Sequence, residues 1–163
     1  MNIFLCGFMG CGKSTIGKEL SKMKGCGFCD TDELIVKKEK MSIPEIFEKK
    51  GEKYFRQKET EILKELESYK GIVACGGGLM LNAENAEIAK KHGKVIFLNT
   101  PFESCYNRIK GDKNRPIVME KTYEQLKELY DYRFEIYKNN SSFEVDADNS
   151  PMQIVKEIMK IIP

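Results

Sequence analysis

At 163 residues, the chain has the length of one domain and can bury a substantial core. Its 27 basic and 25 acidic residues give a formal charge of +2 without a basic block, so we expect neither a nucleic-acid nor a membrane partner. The absence of a bilayer-length apolar stretch and of a signal-peptide pattern predicts a cytoplasmic protein with its six cysteines reduced, and we expect it to act as a monomer.

The first predicted strand, residues 2–6, leads directly into GFMGCGKS, which matches the pattern G-x-x-x-x-G-K-[ST]. A preceding strand and a following helix are the setting in which this P-loop pattern binds phosphate through inward-facing backbone N–H groups. We therefore expect a nucleoside triphosphate with Mg²⁺, with Lys13 reaching the β and γ phosphates and the Ser14 hydroxyl binding the metal. The predicted nucleotide contacts here are Gly10, Cys11, Gly12, Lys13, Ser14 and Thr15.

Two aspartates, Asp30 and Asp32, follow the second predicted strand, residues 27–30. Either one could simply cap the next helix, because aspartate is a good N-cap. Two carboxylates at the same sheet edge as a P-loop also suit a metal and a hydroxyl nucleophile. On that hypothesis Asp30 holds Mg²⁺ through water, and Asp32 accepts a hydrogen bond and then a proton from the attacking hydroxyl.

Cysteine spacing leaves a zinc site as a disfavoured alternative. Cys26 and Cys29 form a CxxC pair, and Cys6 and Cys11 would complete four thiolates. Cys6 and Cys29 lie in predicted strands, however, and Cys11 lies in the phosphate loop. The only histidine, His92, stands at a predicted helix end, where a structural role is favoured over a catalytic one.

The middle of the chain contains an unusual glycine run. A helix is predicted to begin at the capping box of Ser42 and Glu45 and to stop at Gly51. The strand at 71–75 then runs into three consecutive glycines, residues 76–78. Such a run either forms turns or lets a ligand approach bare backbone.

The remaining elements complete a strand–helix alternation. Strands are predicted at 94–99 and 142–147, and helices begin at Thr122 with Gln125 and at Ser150 before Pro151. Gly93 is predicted to end a helix, and residues 110–120 to form a mobile surface loop. This alternation predicts a parallel sheet covered by helices on both faces, with ligands at the carboxyl ends of its strands.

Arginine is scarce: of the 27 basic residues, 23 are lysines, and only Arg56, Arg108, Arg115 and Arg133 are arginines. Where arginine occurs despite this bias, we expect its planar guanidinium to make paired hydrogen bonds to a carboxylate or phosphate. A surface salt bridge is an alternative role. Arg115 lies in the mobile loop, where a cation could close over phosphate. Arg56 and Arg133 lie among aromatic residues, which suits an acceptor with a carboxylate and an apolar ring face.

Taken in order, GFMGCGKST, DTD, IFEKKGEKYFRQKE, GGG, the RP of the loop and the late R...Y resemble shikimate kinase over nearly the whole chain. The resemblance implies a three-layer α/β/α fold of the nucleoside monophosphate kinase type with five parallel strands. It implies transfer of a phosphoryl group from ATP to shikimate, a step toward chorismate and the aromatic amino acids. The chain departs from the family pattern at Ile117, Val118, Asn139 and Ser141, which concerns the loop and the adenine side.

The resemblance also implies roles for individual residues. Shikimate would be held by Asp32, Arg56, Gly77, Gly78 and Arg133, with Phe47 and Phe55 beside its ring. Lys13 and Arg115 would face the phosphates, and Arg108 and Pro151 would flank adenine. The glycine run would let backbone N–H groups approach the acceptor where any Cβ would take its space.

Two other functions are alternatives. A gluconate kinase relative would share the P-loop and the sheet but has less need for two arginines on one carboxylate. A module that binds ATP without transferring phosphate would have no use for Asp32 or for a loop arginine.

Overall fold

The predicted five-stranded parallel sheet is confirmed in the computed structural model, which describes residues 1–163. The strand order is β2-β3-β1-β4-β5, and every neighbouring pair is parallel. The strands are β1 (Asn2–Cys6), β2 (Gly27–Asp30), β3 (Gly71–Ala74), β4 (Gly93–Asn99) and β5 (Phe143–Asp146). The predicted bounds of the last three strands differ from the observed ones by one residue. Gly93 follows a helix as predicted, but it is extended and is the first residue of β4.

Helices cover the sheet in three α/β/α layers. They are α1 (Lys13–Lys24), α2 (Thr31–Glu39), α3 (Ile43–Lys50), α4 (Glu52–Glu65), α5 (Ala83–His92), α6 (Phe102–Ile109), α7 (Pro116–Met119), α8 (Tyr123–Asn140) and α9 (Pro151–Ile161). Short 3₁₀ segments occur at Leu66–Ser68 and Leu79–Leu81. None of these helices combines the length and the apolar character needed to cross a membrane.

The central strands are apolar because helices pack on them. All five residues of β1 and all four of β3 are buried, as expected for strands covered on both faces. Helix α1 packs on β3 and α9, while α5 and α8 lie against β4. The helices α2, α3 and α4 pack on one another between β2 and β3 in the chain, and they build a wall beside the sheet edge.

The predicted helix starts are all present, but their capping hydrogen bonds differ. Thr122 and Gln125 form a full capping box at α8, and Ser150 caps α9 ahead of Pro151. At α3, Ser42 accepts from the backbone N–H of Glu45, but the Glu45 carboxylate takes the Ser42 hydroxyl instead of closing the box.

The predicted loop at 110–120 contains one helical turn, α7, that was not predicted from the sequence. Pro116 at its first position supplies a helical φ and needs no N–H partner, so the turn can form without a periodic apolar pattern. Val118 is buried, and α7 contacts α3. The segment that carries Arg115 therefore lies against the wall built by α2–α4.

Candidate active site

Three loops meet at one edge of the sheet, where β1, β2 and β3 end. These strands are parallel neighbours in the order β2-β3-β1, so their carboxyl ends lie side by side. The P-loop follows β1, the Asp30 pair follows β2, and the glycine run follows β3. This is the edge at which parallel α/β sheets bind ligands.

The P-loop has the backbone of an anion site. Gly10 and Gly12 adopt φ of 78° and 102°, conformations that side chains disfavour, and Gly12 caps α1 without any side-chain hydrogen bond. The first N–H groups of α1 are therefore not taken up by a capping side chain. The Lys13 ammonium folds over this loop and donates to the carbonyls of Gly7 at 2.8 Å and Phe8 at 3.1 Å.

A small cavity of about 220 Å³ opens above the P-loop. Its lining includes most of the predicted nucleotide contacts: Gly10, Gly12, Lys13, Ser14, Thr15, Arg108 and Arg115. Cys11 is buried, and Pro151, at the start of α9, is not among the lining residues. Arg108 donates to the Gly10 carbonyl at 2.8 Å, which ties α6 to the loop.

A large cavity of about 370 Å³ lies next to the small one. The two share four lining residues: Asp30, Asp32, Gly77 and Arg115. All residues predicted to hold the acceptor line the large cavity: Asp32, Phe47, Phe55, Arg56, Gly77, Gly78 and Arg133. The wall formed by α3 and α4 thus faces the glycine run and α8 across this space.

Asp30 has two roles, one on each oxygen. Its Oδ1 accepts from the backbone N–H groups of Asp32 at 2.9 Å and Glu33 at 3.3 Å, so Asp30 is the N-cap of α2. Its Oδ2 accepts from the Ser14 hydroxyl at 2.7 Å. The Ser14 hydroxyl and Asp30 Oδ2 are thus adjacent oxygens beside the phosphate loop. Such a pair fits Mg²⁺, which takes few protein ligands and completes its coordination shell with water and phosphate oxygens. The structure has no cluster of three or more His, Cys, Asp or Glu side chains that could hold a metal ion by themselves.

Asp32 does not cap the helix, and its carboxyl group is poorly solvated. Its Oδ1 is buried without a hydrogen-bond partner. Burial, and secondarily the nearby Asp30 carboxylate, raise the pKa of Asp32 to about 6, although Lys13, Arg115 and Arg56 oppose the shift. A carboxyl group with a pKa near neutrality, placed where the two cavities join, has the properties of a general base.

Arg56 is held in place on α4 by carboxylates of its own helix. It donates to Glu59 at 2.8 Å and to Glu52 at 3.1 Å, and its guanidinium lies 5.5 Å from the ring centre of Phe55. Phe55 in turn packs on Phe47 at 5.1 Å between centroids. The cavity wall therefore presents an oriented guanidinium beside two aromatic rings.

Arg133 is a buried cation without a carboxylate partner. It is only 6% exposed, and no acidic oxygen lies within 4.0 Å of it, in contrast to Arg56 and Arg115. A buried charge without a partner is costly unless something neutralises it. Since Arg133 lines the large cavity, an anionic ligand there would remove that cost.

The glycine run is explained differently at its different positions. A Cβ on Gly76 would lie 2.3 Å from Asp32 Oδ1, and one on Gly78 would lie 1.9 Å from Arg56 Nη1. At these two positions the protein's own carboxylate and guanidinium, and not a ligand, fill the space expected to be reserved for the acceptor. Gly78 has φ −97° and ψ −13°, which any residue adopts, so contact and not backbone conformation requires glycine there. At Gly77 the nearest atom, Met9 Cγ, is 3.3 Å away.

Glu59 also lines the large cavity and was not predicted from the sequence. It is 1% exposed, its Oε2 has no hydrogen-bond partner, and burial raises its pKa to about 7 despite the opposing Arg56. The spacing could have indicated it, because Glu59 stands three residues after Arg56, and side chains three residues apart meet on a helix. Met9 and Asp112, which also line the cavity, carry no comparable signal in the sequence.

Comparisons with known proteins point to one family. Residues 9–163 match the family model for shikimate kinase. A shikimate kinase from Aquifex aeolicus (strain VF5) is 41% identical over 160 residues, which cover 98% of this chain and 94% of that protein. A structure described as shikimate kinase from Acinetobacter baumannii in complex with shikimate is 36% identical with a TM-score of 0.91, covering 98% of this chain and 91% of that one.

A gluconokinase from Sinorhizobium meliloti 1021 shares the fold more distantly. It is 20% identical with a TM-score of 0.58, covering 98% of this chain and 89% of that one. At this identity the likeness extends to the fold alone.

Replacing Asp32 should stabilise the unliganded protein at neutral pH. The pKa of Asp32 is about 6 in the folded chain and near 3.9 in an unfolded one, so the folded state holds the proton more tightly. Ionisation of this group therefore lowers the free energy of unfolding as pH rises from about 4 to about 7, by up to about 3 kcal/mol. Asp32→Asn removes this loss.

Urea unfolding of parent and variant would measure the effect. At pH 8 the Asp32→Asn variant should be more stable by about 1–3 kcal/mol, and near pH 4.5 the advantage should be mostly lost. A stability difference that does not change with pH would show that Asp32 is not an unfavourably ionised group.

Proposed function

Because the chain belongs to the shikimate kinase family, we propose that it transfers the γ-phosphoryl group of ATP to the 3-hydroxyl of shikimate, giving shikimate 3-phosphate and ADP. Shikimate occupies the large cavity and the ATP phosphates occupy the small one. The observation that carries this assignment is the position of Asp32, which lines both cavities where they join.

Asp32 is the base in this proposal. A hydroxyl in the large cavity donates a hydrogen bond to the Asp32 carboxylate, and its oxygen attacks the γ-phosphorus at the junction. As the new O–P bond forms, the bond from that phosphorus to the oxygen bridging to ADP breaks, and the hydroxyl proton passes to Asp32. A pKa of about 6 leaves Asp32 mostly ionised at pH 7 and still basic enough to accept the proton.

The two arginines bind the shikimate carboxylate. Arg133 is buried without an ion-pair partner and gains one when the carboxylate enters. Arg56 is already oriented by Glu59, so it loses little side-chain freedom on binding. Phe47 and Phe55 cover the apolar face of the shikimate ring.

Lys13 and Arg115 act on the phosphates. Lys13 leaves the loop carbonyls for the β and γ phosphates, and the start of α1 adds its N–H groups. Ser14 and Asp30 would hold Mg²⁺, Asp30 through water, and that ion supplies neutralisation of the phosphate charge. Arg108 and Pro151 flank adenine.

Residues 110–120 form a lid over the junction within one kinase domain. Arg115 lines both cavities and stands at the start of α7, with its Nε held 3.0 Å from Asp112 Oδ2. Closure of this segment would bring Arg115 onto the γ-phosphate and exclude water from it. We also propose that the enzyme acts as a cytoplasmic monomer.

An ADP-release assay with a panel of acceptors tests the proposed function. With ATP and Mg²⁺ we expect turnover with shikimate and at most a trace with gluconate or with no acceptor. Turnover with gluconate and not shikimate would assign the fold to a sugar-acid kinase instead. ATP binding without ADP release for any acceptor would identify a module that binds nucleotide without transfer.

Alanine substitutions at Gly76 and Gly78 should affect different steps, one shikimate binding and the other phosphoryl transfer. Gly78→Ala forces the Arg56 guanidinium away from its place, so KM for shikimate should rise tenfold or more with a smaller change in kcat. Gly76→Ala displaces the Asp32 carboxylate, so kcat should fall by about 10² or more. Both clashes involve ends of side chains, so both variants should fold.

Steady-state kinetics and thermal melting of the matched pair would check this. The two variants carry the same substitution two residues apart, so each controls for the other. Identical kinetic defects in the two, or parental kinetics in either, would contradict the assigned contacts.

A further inference from the structure

We propose that Tyr137 is a positioning residue for the acceptor site: its hydroxyl fixes the Gly77–Gly78 peptide so that the Gly78 N–H faces the large cavity. This rests on the proposed function, because that cavity is taken as the shikimate site. Tyr137 does not itself touch the substrate; it acts through the glycine backbone.

Tyr137 joins α8 to the glycine run. Its hydroxyl donates to the carbonyl of Gly77, sixty residues away in the chain. The residue is 1% exposed, and its ring packs on Phe97 at 5.7 Å between centroids. Burial raises the pKa of Tyr137, so the phenol stays protonated and remains a donor.

The planar peptide lets the hydrogen bond from Tyr137 to the Gly77 carbonyl set the direction of the Gly78 N–H. The structure has no cis peptide bond, so the Gly77 carbonyl and the Gly78 N–H point in opposite directions from one plane. With the carbonyl drawn toward buried Tyr137, the N–H is directed away from it. Neither Gly77 nor Gly78 donates its N–H within the protein, and both line the large cavity. The Gly78 N–H is thus an available donor for an oxygen of the acceptor.

This orientation needs a distant anchor because glycine peptides rotate easily. The carbonyls of Gly76 and Gly78 are held locally, by the N–H groups of Leu79 at 3.1 Å and Leu81 at 3.2 Å. The Gly77 carbonyl has no such local donor, and Tyr137 supplies it. A donor fixed before binding costs less to order when the ligand arrives.

Tyr137 also couples the glycine run to Arg133. The two residues are one turn apart on α8, at the spacing that places side chains on the same helix face. A Cβ on Gly77 would lie 3.8 Å from Arg133 Nη1, so the guanidinium and the glycine peptide are close neighbours. One helix therefore sets both the cation and the amide donor of the acceptor site.

Tyr137→Phe tests the inference, with Tyr130→Phe as the matched control. Phenylalanine keeps the ring against Phe97 and removes only the hydroxyl. Tyr130 lies two turns earlier on α8 and donates to the Thr100 carbonyl at 2.6 Å, so its variant loses the same kind of bond elsewhere. The dissociation constant for shikimate should rise about 5- to 30-fold in Tyr137→Phe and stay within about twofold of the parent in Tyr130→Phe. KM for ATP should not change in Tyr137→Phe.

Two further measurements distinguish positioning from a general loss of stability. Urea unfolding should show comparable destabilisation in both variants. The ¹H–¹⁵N signal of the Gly78 amide in the unliganded protein should shift in Tyr137→Phe and not in Tyr130→Phe. Shikimate affinity within about twofold of the parent in Tyr137→Phe, equal losses of affinity in both variants, or an unmoved Gly78 signal would overturn the inference. Turnover of the parent with shikimate tests the proposed function separately, since the Gly78 signal needs no substrate.

Discussion

The parallel pairing of β2, β3 and β1 is the constraint on which the site depends. It places the ends of three strands side by side, so the P-loop, the aspartate pair and the glycine run meet although more than sixty residues separate the first from the last. At the end of β3 there is no room for side chains at Gly76 and Gly78, because Asp32 and Arg56 occupy that space. The strand register, the glycines at these positions and the placement of the charged groups therefore depend on one another.

The site holds charged groups where water is scarce. Asp32 and Glu59 each have a buried oxygen without a partner, and both pKa values are raised, chiefly by burial. Arg133 is a buried cation without a carboxylate within 4.0 Å. In the unliganded chain each of these lowers stability. A bound acceptor would supply the missing partners: a hydroxyl for Asp32 and a carboxylate for Arg133. Under the proposed function, these unpartnered groups favour a ligand that carries both a hydroxyl and a carboxylate.

Sequence reasoning predicted the sheet and the P-loop because these depend on local pattern and on motif spacing. It also assigned Asp30 to the metal and Asp32 to the hydroxyl, but it left open which of them caps the next helix; the structure shows that Asp30 caps α2 and Asp32 does not. Tyr137 belongs to the R...Y pattern, but its contact could not be predicted, because the partner is a backbone carbonyl, that of Gly77, sixty residues away in the chain. Helix α7 was missed because one turn begun by a proline has no periodicity to detect. The need for glycine at positions 76 and 78 also could not be predicted, because it arises from contacts with Asp32 and Arg56 that only the folded chain makes.

The central claim is that Asp32 accepts the proton of the attacking hydroxyl, and the kcat of Asp32→Asn tests it most directly. The amide can still accept a hydrogen bond from the hydroxyl but cannot take its proton, so kcat with shikimate should fall by about 10² to 10⁴. Affinity for ATP should be retained, since the P-loop is intact, and the cap of α2 is unaffected because Asp30 provides it. A variant that keeps more than about a third of the parental kcat, far outside the range for a lost base, would contradict the account.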